Sequence, residues 1–312
     1  MVQTVMVNAS ANRQMAIVSG VSCNSKKIKM RQFTTIIATI TLLLLTGFSV
    51  VKSENVEKNL NVIDSLKQDY VSRMNGVWVM TDYIVDIQKN KSPLKSFGLL
   101  NGKGVVELSI NGLLNRDTVL CSAVINNHEE LEFTGCPKRN ENSVLTINLV
   151  DYYTDCHYEI GLDTTKNKIS IVLYRLNLEN KLIEKRYFTK VLEHYDITNK
   201  IEGGITRVVN ETLLAGKYRL VNEKGNESNV IFDRDGSITG FESFKSYYIS
   251  TDFLLSPTQS FDQIFLQRKD GKHQGFGITL KEDSVYLNQI KGNDEKFETL
   301  KLGKIRYILT KK

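Results

Sequence analysis

From residue 77 onward, β-branched and aromatic residues fall in short runs that alternate with polar positions, and each run ends in turn-forming residues. The runs 77–87, 104–110, 118–125, 130–134, 143–150, 156–162, 169–175 and 182–191 are predicted strands. Between them lie Asn101-Gly102, Asn111-Gly112, Asn126-Asn127, residues 138–142, Lys166-Asn167 and Glu179-Asn180, all turn-forming combinations. A second series follows at 217–221, 229–232, 237–241, 246–252, 262–267, 275–280, 285–290, 298–302 and 305–310. Tight hairpins are expected at Asp235-Gly236, Asp270-Gly271 and Gly292-Asn293, where glycine accepts a positive φ. Closely spaced short strands leave no room for crossover helices, so the chain is predicted to be all-β and antiparallel, as sandwiches or closed barrels.

Two stretches break this pattern. Val56, Leu60, Ile63, Leu66, Tyr70 and Met74 share one helical face, with Glu54 and Glu57 in the first turn, where acids suit the helix dipole. Residues 194–212 are polar, contain Gly203-Gly204 and lead into a short helical stretch through Val208 and Leu213. The implied division is 1–53 as an upstream extension with a targeting segment, 54–195 as a helix and first β-domain, 196–215 as a linker with a short helix, and 216–312 as a second β-domain. A chain of 312 residues is long enough for two such cores.

The apolar run 36–51 follows Lys26, Lys27, Lys29 and Arg31 and precedes Lys52. It falls short of the roughly 20 residues of a membrane span, so it reads as a signal peptide. Val51-Lys52-Ser53 is only a moderate cleavage site, and a retained signal anchor is the alternative. Leu45-Thr46-Gly47 matches the start of a bacterial lipoprotein signal, but Phe48 occupies the place of the lipid-accepting cysteine, so no lipidation is expected. Met30 stands where an ordinary signal peptide would begin, which makes residues 1–29 an upstream extension or a long basic region. Residues 1–53 hold Arg13, Lys26, Lys27, Lys29, Arg31 and Lys52 and no acid, which accounts for the whole net charge of +6. The remainder is balanced, and a basic footprint for nucleic acid is absent from it.

Beyond the apolar run lie Cys121, Cys136 and Cys156, in a compartment where disulfides persist. A hairpin around 126–129 brings Cys121 toward Cys136, the favoured bridge; three buried thiols are the alternative. His128, His157, His194 and His273 are scattered, with no metal-like spacing. Cys156 and His157, beside Asp155, point to opposite faces of a strand and do not converge. Asp233-Arg234-Asp235-Gly236 with Glu242 resembles part of a calcium loop, but Ile231 falls at its first ligand position, so a hairpin turn is expected. No nucleophile elbow, P-loop or dinucleotide fingerprint occurs. Neither a catalytic site nor a cofactor or metal site is predicted.

The two strand series share landmarks. Each opens on Gly-x-aromatic after a helical stretch, Gly76-Val77-Trp78 and Gly216-Lys217-Tyr218, and each closes on Arg-Tyr, Arg186-Tyr187 and Arg306-Tyr307. A helical lead-in, Gly-x-Trp in the first strand and a late Arg together resemble the lipocalin family and its bacterial lipocalin-like, calycin-type relatives. The resemblance implies two tandem antiparallel β-barrels, each preceded by a helix. It also implies that Trp78 closes one barrel end with Arg186 across its ring, and that Tyr218 and Arg306 are the weaker second pair. Thr81-Asp82-Tyr83, a triplet that lipocalins carry well downstream, directly follows Trp78 here and is coincidental.

These readings lead to an exported, non-enzymatic binding protein, periplasmic or at the cell surface, with a hydrophobic or amphipathic small molecule or lipid as the ligand implied by the resemblance. The rival is a structural or interaction module of the cell envelope whose barrels are filled and whose outer face meets another envelope protein. Membrane contact is expected only through residues 36–51 if they are retained. An apolar cavity would favour the first reading and a packed interior the second.

Overall fold

The structure is a computed structural model that describes residues 16–17, 68–115, 118–138, 144–151, 155–165, 169–194, 203–253, 260–292 and 299–312. The apolar run 36–51 and most of the helix expected from residue 54 lie outside the described residues. Among the described residues no helix is long and apolar enough to cross a membrane.

The elements in chain order are β1 (Ala16–Ile17), the helical residues 68–74 (α1), β2 (Gly76–Met80), α2 (Thr81–Asn90), α3 (Pro93–Ser96) and a 3-10 turn (Phe97–Leu99). Seven strands follow: β3 (Val105–Asn115), β4 (Thr118–Ile125), β5 (Glu129–Pro137), β6 (Val144–Asp151), β7 (Cys156–Asp163), β8 (Ser170–Asn177) and β9 (Leu182–Leu192). Helix α4 (Gly204–Leu213) then leads into β10 (Gly216–Asn222), β11 (Glu227–Phe232), β12 (Ile238–Thr239), β13 (Phe244–Ile249), β14 (Gln263–Arg268), β15 (His273–Lys281), β16 (Ser284–Lys291) and β17 (Lys301–Lys311).

The first sheet is an antiparallel meander in which every strand from β2 to β9 pairs with its sequence neighbours and β9 returns to β2, so the pairings run round in a barrel-like ring. Among the described residues the shortest ladder of that ring is β5–β6, where Gly135–Pro137 meet Leu145–Ile147, and β1 pairs with Leu149 and Val150 of β6. The second sheet repeats the scheme from β10 to β17, with β17 returning to β10. Its one gap, between β12 and β13, is crossed by the single bridge Ser237↔Ser246. Two antiparallel, barrel-like sheets in tandem are thus present.

Alternation decides which side chains point inward. Along β10, Tyr218 and Leu220 are buried while Lys217 and Arg219 are exposed, and parts of β5 and β11 alternate likewise, whereas β2 is buried along its whole length. Trp78, Leu108, Ile110, Phe133, Ile160 and Phe188 fill the first interior. The second is an aromatic interior in which Phe232 meets Tyr218 and Tyr247 edge-on, while Phe244, Phe276 and Tyr307 form a further edge-to-face chain with Phe241.

Three expected strand runs are corrected. The run 77–87 leaves the sheet at Met80 and continues as α2, because beyond that point the buried positions, Tyr83 and Ile87, are one helical turn apart. The runs 298–302 and 305–310 join into β17, whose ladder with β16 absorbs the extra residues at register shifts beside Asn288. The expected turn at Asn126-Asn127 forms with both residues at positive φ, 50° and 63°, and the His128 N–H donates to the Ile125 carbonyl.

That turn fixes the register of β4 and β5, and with it the cysteines. Cys121 stands opposite Phe133, while Gly135, the neighbour of Cys136, stands opposite Val119. Cys121 and Cys136 are therefore offset by three positions and do not bridge. Cys136 is disulfide-bonded, whereas Cys121 and Cys156 are both buried as thiols.

Candidate functional site at the junction of the two barrels

The landmark residues recur in matching places. Gly76 and Gly216 each follow a helix and open the first strand of a sheet with positive φ, 124° and 153°. A side chain at Gly76 would also strike the Leu192 carbonyl, so glycine is required there on both counts. Trp78 is fully buried and its indole N–H donates to the Met74 carbonyl at 2.8 Å, which ties α1 across the barrel end.

The cation over the Trp78 ring is Lys190, 4.9 Å from the ring centroid, and not Arg186. Register explains the difference: Trp78 opposes Lys190 and Met80 opposes Phe188, so Arg186 falls beyond the end of β2. There it donates to both carboxylate oxygens of Glu184, and to the carbonyls of Lys103 and Val105 at the start of β3. In the second sheet Tyr218 packs edge-on against Phe232, while Arg306 pairs with Glu223 at 2.9 Å and makes no contact of the proposed kind with the Tyr218 ring.

A set of buried polar contacts lies between the sheets, where sequence reading placed nothing. Helix α4 begins at Gly203-Gly204, and its N-cap residue Gly203 offers no side chain to satisfy the first N–H groups. Glu107, buried on β3, supplies the missing acceptor: its carboxylate takes the Ile205 N–H at 2.9 Å and also the N–H of Gly204. Burial raises the Glu107 pKa, the two amides pull it back, and the Glu130 charge adds a smaller upward push. Gly204 permits this approach, since a Cβ there would lie 2.8 Å from side-chain carbons of Val77 and Val79. The other face of α4 reaches the second sheet, where the Asn210 amide donates to the Arg234 carbonyl at 3.4 Å.

A second cap runs in the opposite direction. Ser92 caps α3 by accepting the Lys95 N–H, Pro93 needs no partner at the first position, and the Leu94 N–H donates to Asp262 of the second half at 2.8 Å. Asp262 is raised chiefly by burial, against its bonds from Ser92 and Leu94. Around these caps, His128 Nδ1 is 2.9 Å from Asp252, Asn127 donates to the Thr251 carbonyl, and Phe97 meets Phe253 edge-on at 5.5 Å. An open groove of about 550 Å³ runs beside the junction, between α2 and α4 over β9, with Ile84, Val191 and Val208 at its apolar floor.

The other sequence candidates stay apart. Among the described residues no three His, Cys, Asp or Glu side chains form a metal-holding group. His194 meets Asn75 and His273 meets Gln267. Burial pushes the Cys121 thiol up to about 12, which keeps it protonated and unreactive. Asp233 to Gly236 form the turn between β11 and β12, where Asp235 accepts the Ser237 N–H. Glu107 and Asp262 had no sequence signal, because their partners lie 98 and 168 positions away.

No known family model matches the chain, and comparisons with characterised proteins and with solved structures return no significant match.

Proposed function

We propose that this chain is an exported, non-enzymatic interaction protein of the cell envelope: two filled, lipocalin-like barrels held together as one body. The observation that carries this reading is the occupancy of the interiors. Trp78, Phe133 and Phe188 fill the first, and the linked rings of Tyr218, Phe232, Tyr247, Phe244, Phe276 and Tyr307 fill the second. An eight-stranded barrel holds either packed side chains or one small ligand, and large inward rings favour the former. The calycin-type assignment draws support from the meander of each sheet, from Trp78 after a helix, and from a cation of the last strand, Lys190, over its ring.

Export rests on the basic flank and the apolar run 36–51. Native mass spectrometry of the protein purified from its host tests the filled-barrel reading. The expected spectrum shows the bare chain, and a co-purifying lipid bound at one per chain would overturn the reading in favour of small-molecule binding.

A further inference from the structure

Among the described residues, large apolar side chains left in water concentrate on one hairpin. Leu178 is 72% exposed and Ile183 52% exposed, with Leu182 and Tyr187 beside them, all on the β8–β9 hairpin or its turn. The turn is rigid. Asn177 accepts the N–H groups of Glu179 and Lys181 through its side chain, its carbonyl takes the Asn180 N–H, and Asn180 has a positive φ of 62°. Leu178 is thus held out at the tip by a built turn.

The hairpin itself is basic. Lys181 and Lys185 are exposed on the hairpin and Lys103 on the neighbouring loop, and Arg175 and Arg186 converge on Glu184 just behind. Glu179 is the other acid of the turn and Asp155 stands beside it, since Cys156 pairs with Asn177, so five cations face three carboxylates there. Lys185 stands opposite Tyr174 in the ladder with its ammonium 5.6 Å from the ring centroid, and the residue remains exposed.

We propose that the β8–β9 hairpin is a membrane-docking tip. Leu178, Leu182 and Ile183 enter the interfacial zone of an anionic lipid surface while Lys181 and Lys185 meet headgroup phosphates. An apolar tip ringed by lysines matches both layers of such a surface, the acyl boundary and the charged headgroups. A second copy of this chain would instead bring like-charged collars together. The docking goes beyond the interaction-protein reading and holds whether or not residues 36–51 are retained.

The test uses the full chain with Leu178→Trp. Trp78 is the only native tryptophan and is fully buried, so it reports the fold and leaves the added indole as the surface probe. With vesicles of phosphatidylcholine and phosphatidylglycerol carrying brominated acyl chains, the added indole is expected to shift to the blue and be quenched, while the parent emission is unchanged. Lys181→Gln with Lys185→Gln should weaken that quenching on anionic vesicles. Leu182→Trp serves as a second probe should the first variant fold poorly. An added indole that keeps its solvent-exposed emission in the presence of these vesicles overturns the proposal. A blue shift that grows with protein concentration in the absence of lipid also overturns it, in favour of self-association.

Discussion

Trp78 is held by two contacts of different kinds, a hydrogen bond from its indole N–H to the Met74 carbonyl and the Lys190 ammonium over its ring. Loss of the buried ring leaves a cavity, so Trp78→Ala is expected to cost about 3–5 kcal/mol. Lys190→Met should cost about 1 kcal/mol, and the two together less than the sum because they share one contact. Arg186→Met should add independently to Trp78→Ala. Denaturant unfolding of the three single and two double variants checks this, and coupling of Trp78 to Arg186 in place of Lys190 would contradict it. Glu107 makes a prediction of opposite sign to an ordinary salt bridge. Its folded-state pKa is raised above the ordinary 4.5, so the folded chain holds its proton more tightly than the unfolded chain. Its contribution to stability is therefore fully present at low pH and declines as pH rises through the raised value; Asp262, raised in the same direction, acts likewise. Glu107→Gln should flatten part of that decline in unfolding measurements across the acidic to neutral range, and parallel curves for variant and parent would refute the assignment. Trp78 was legible in sequence because a lone tryptophan after Gly-x is conspicuous. Glu107 was not, being one acid in a strand whose outer face reads as solvent until α4 covers it.

At the scale of elements, period-two alternation and turn chemistry located most strands to within a few residues, since both signals are local. Where the reading failed, a non-local or mixed signal decided. Residues 81–90 carry apolar side chains that suit either period, and the helix emerges because Tyr83 and Ile87 are buried. The expected Cys121–Cys136 bridge failed by three positions of register, a quantity set by the turn at Asn126-Asn127 and not by spacing along the chain. Helix α4 is the most consequential element. Gly203-Gly204 reads as a flexible connection, yet the absence of a Cβ at Gly204 lets the helix start lie against Val77, Val79 and Val191. Ile205, Val208, Val209 and Leu213 then bury its remaining length. Glycine here serves close packing, and sequence alone does not separate that use from a hinge. The candidate site followed the same division: its landmark residues were visible, and the junction that joins the barrels was not.

Across the whole molecule, the buried apolar residues of both sheets, α2 and α4 form one contiguous cluster, and two carboxylates cap helices across the boundary. These contacts join the two sheets across that boundary. Differential scanning calorimetry of the full chain, with Gly204→Leu as the perturbation, tests that unity most directly. The parent is expected to unfold in a single cooperative transition. Gly204→Leu, which forces α4 away from Val77 and Val79, should divide it into two. Two separate transitions in the parent, or a Gly204→Leu chain that melts as one unit at the parental temperature, would contradict the account.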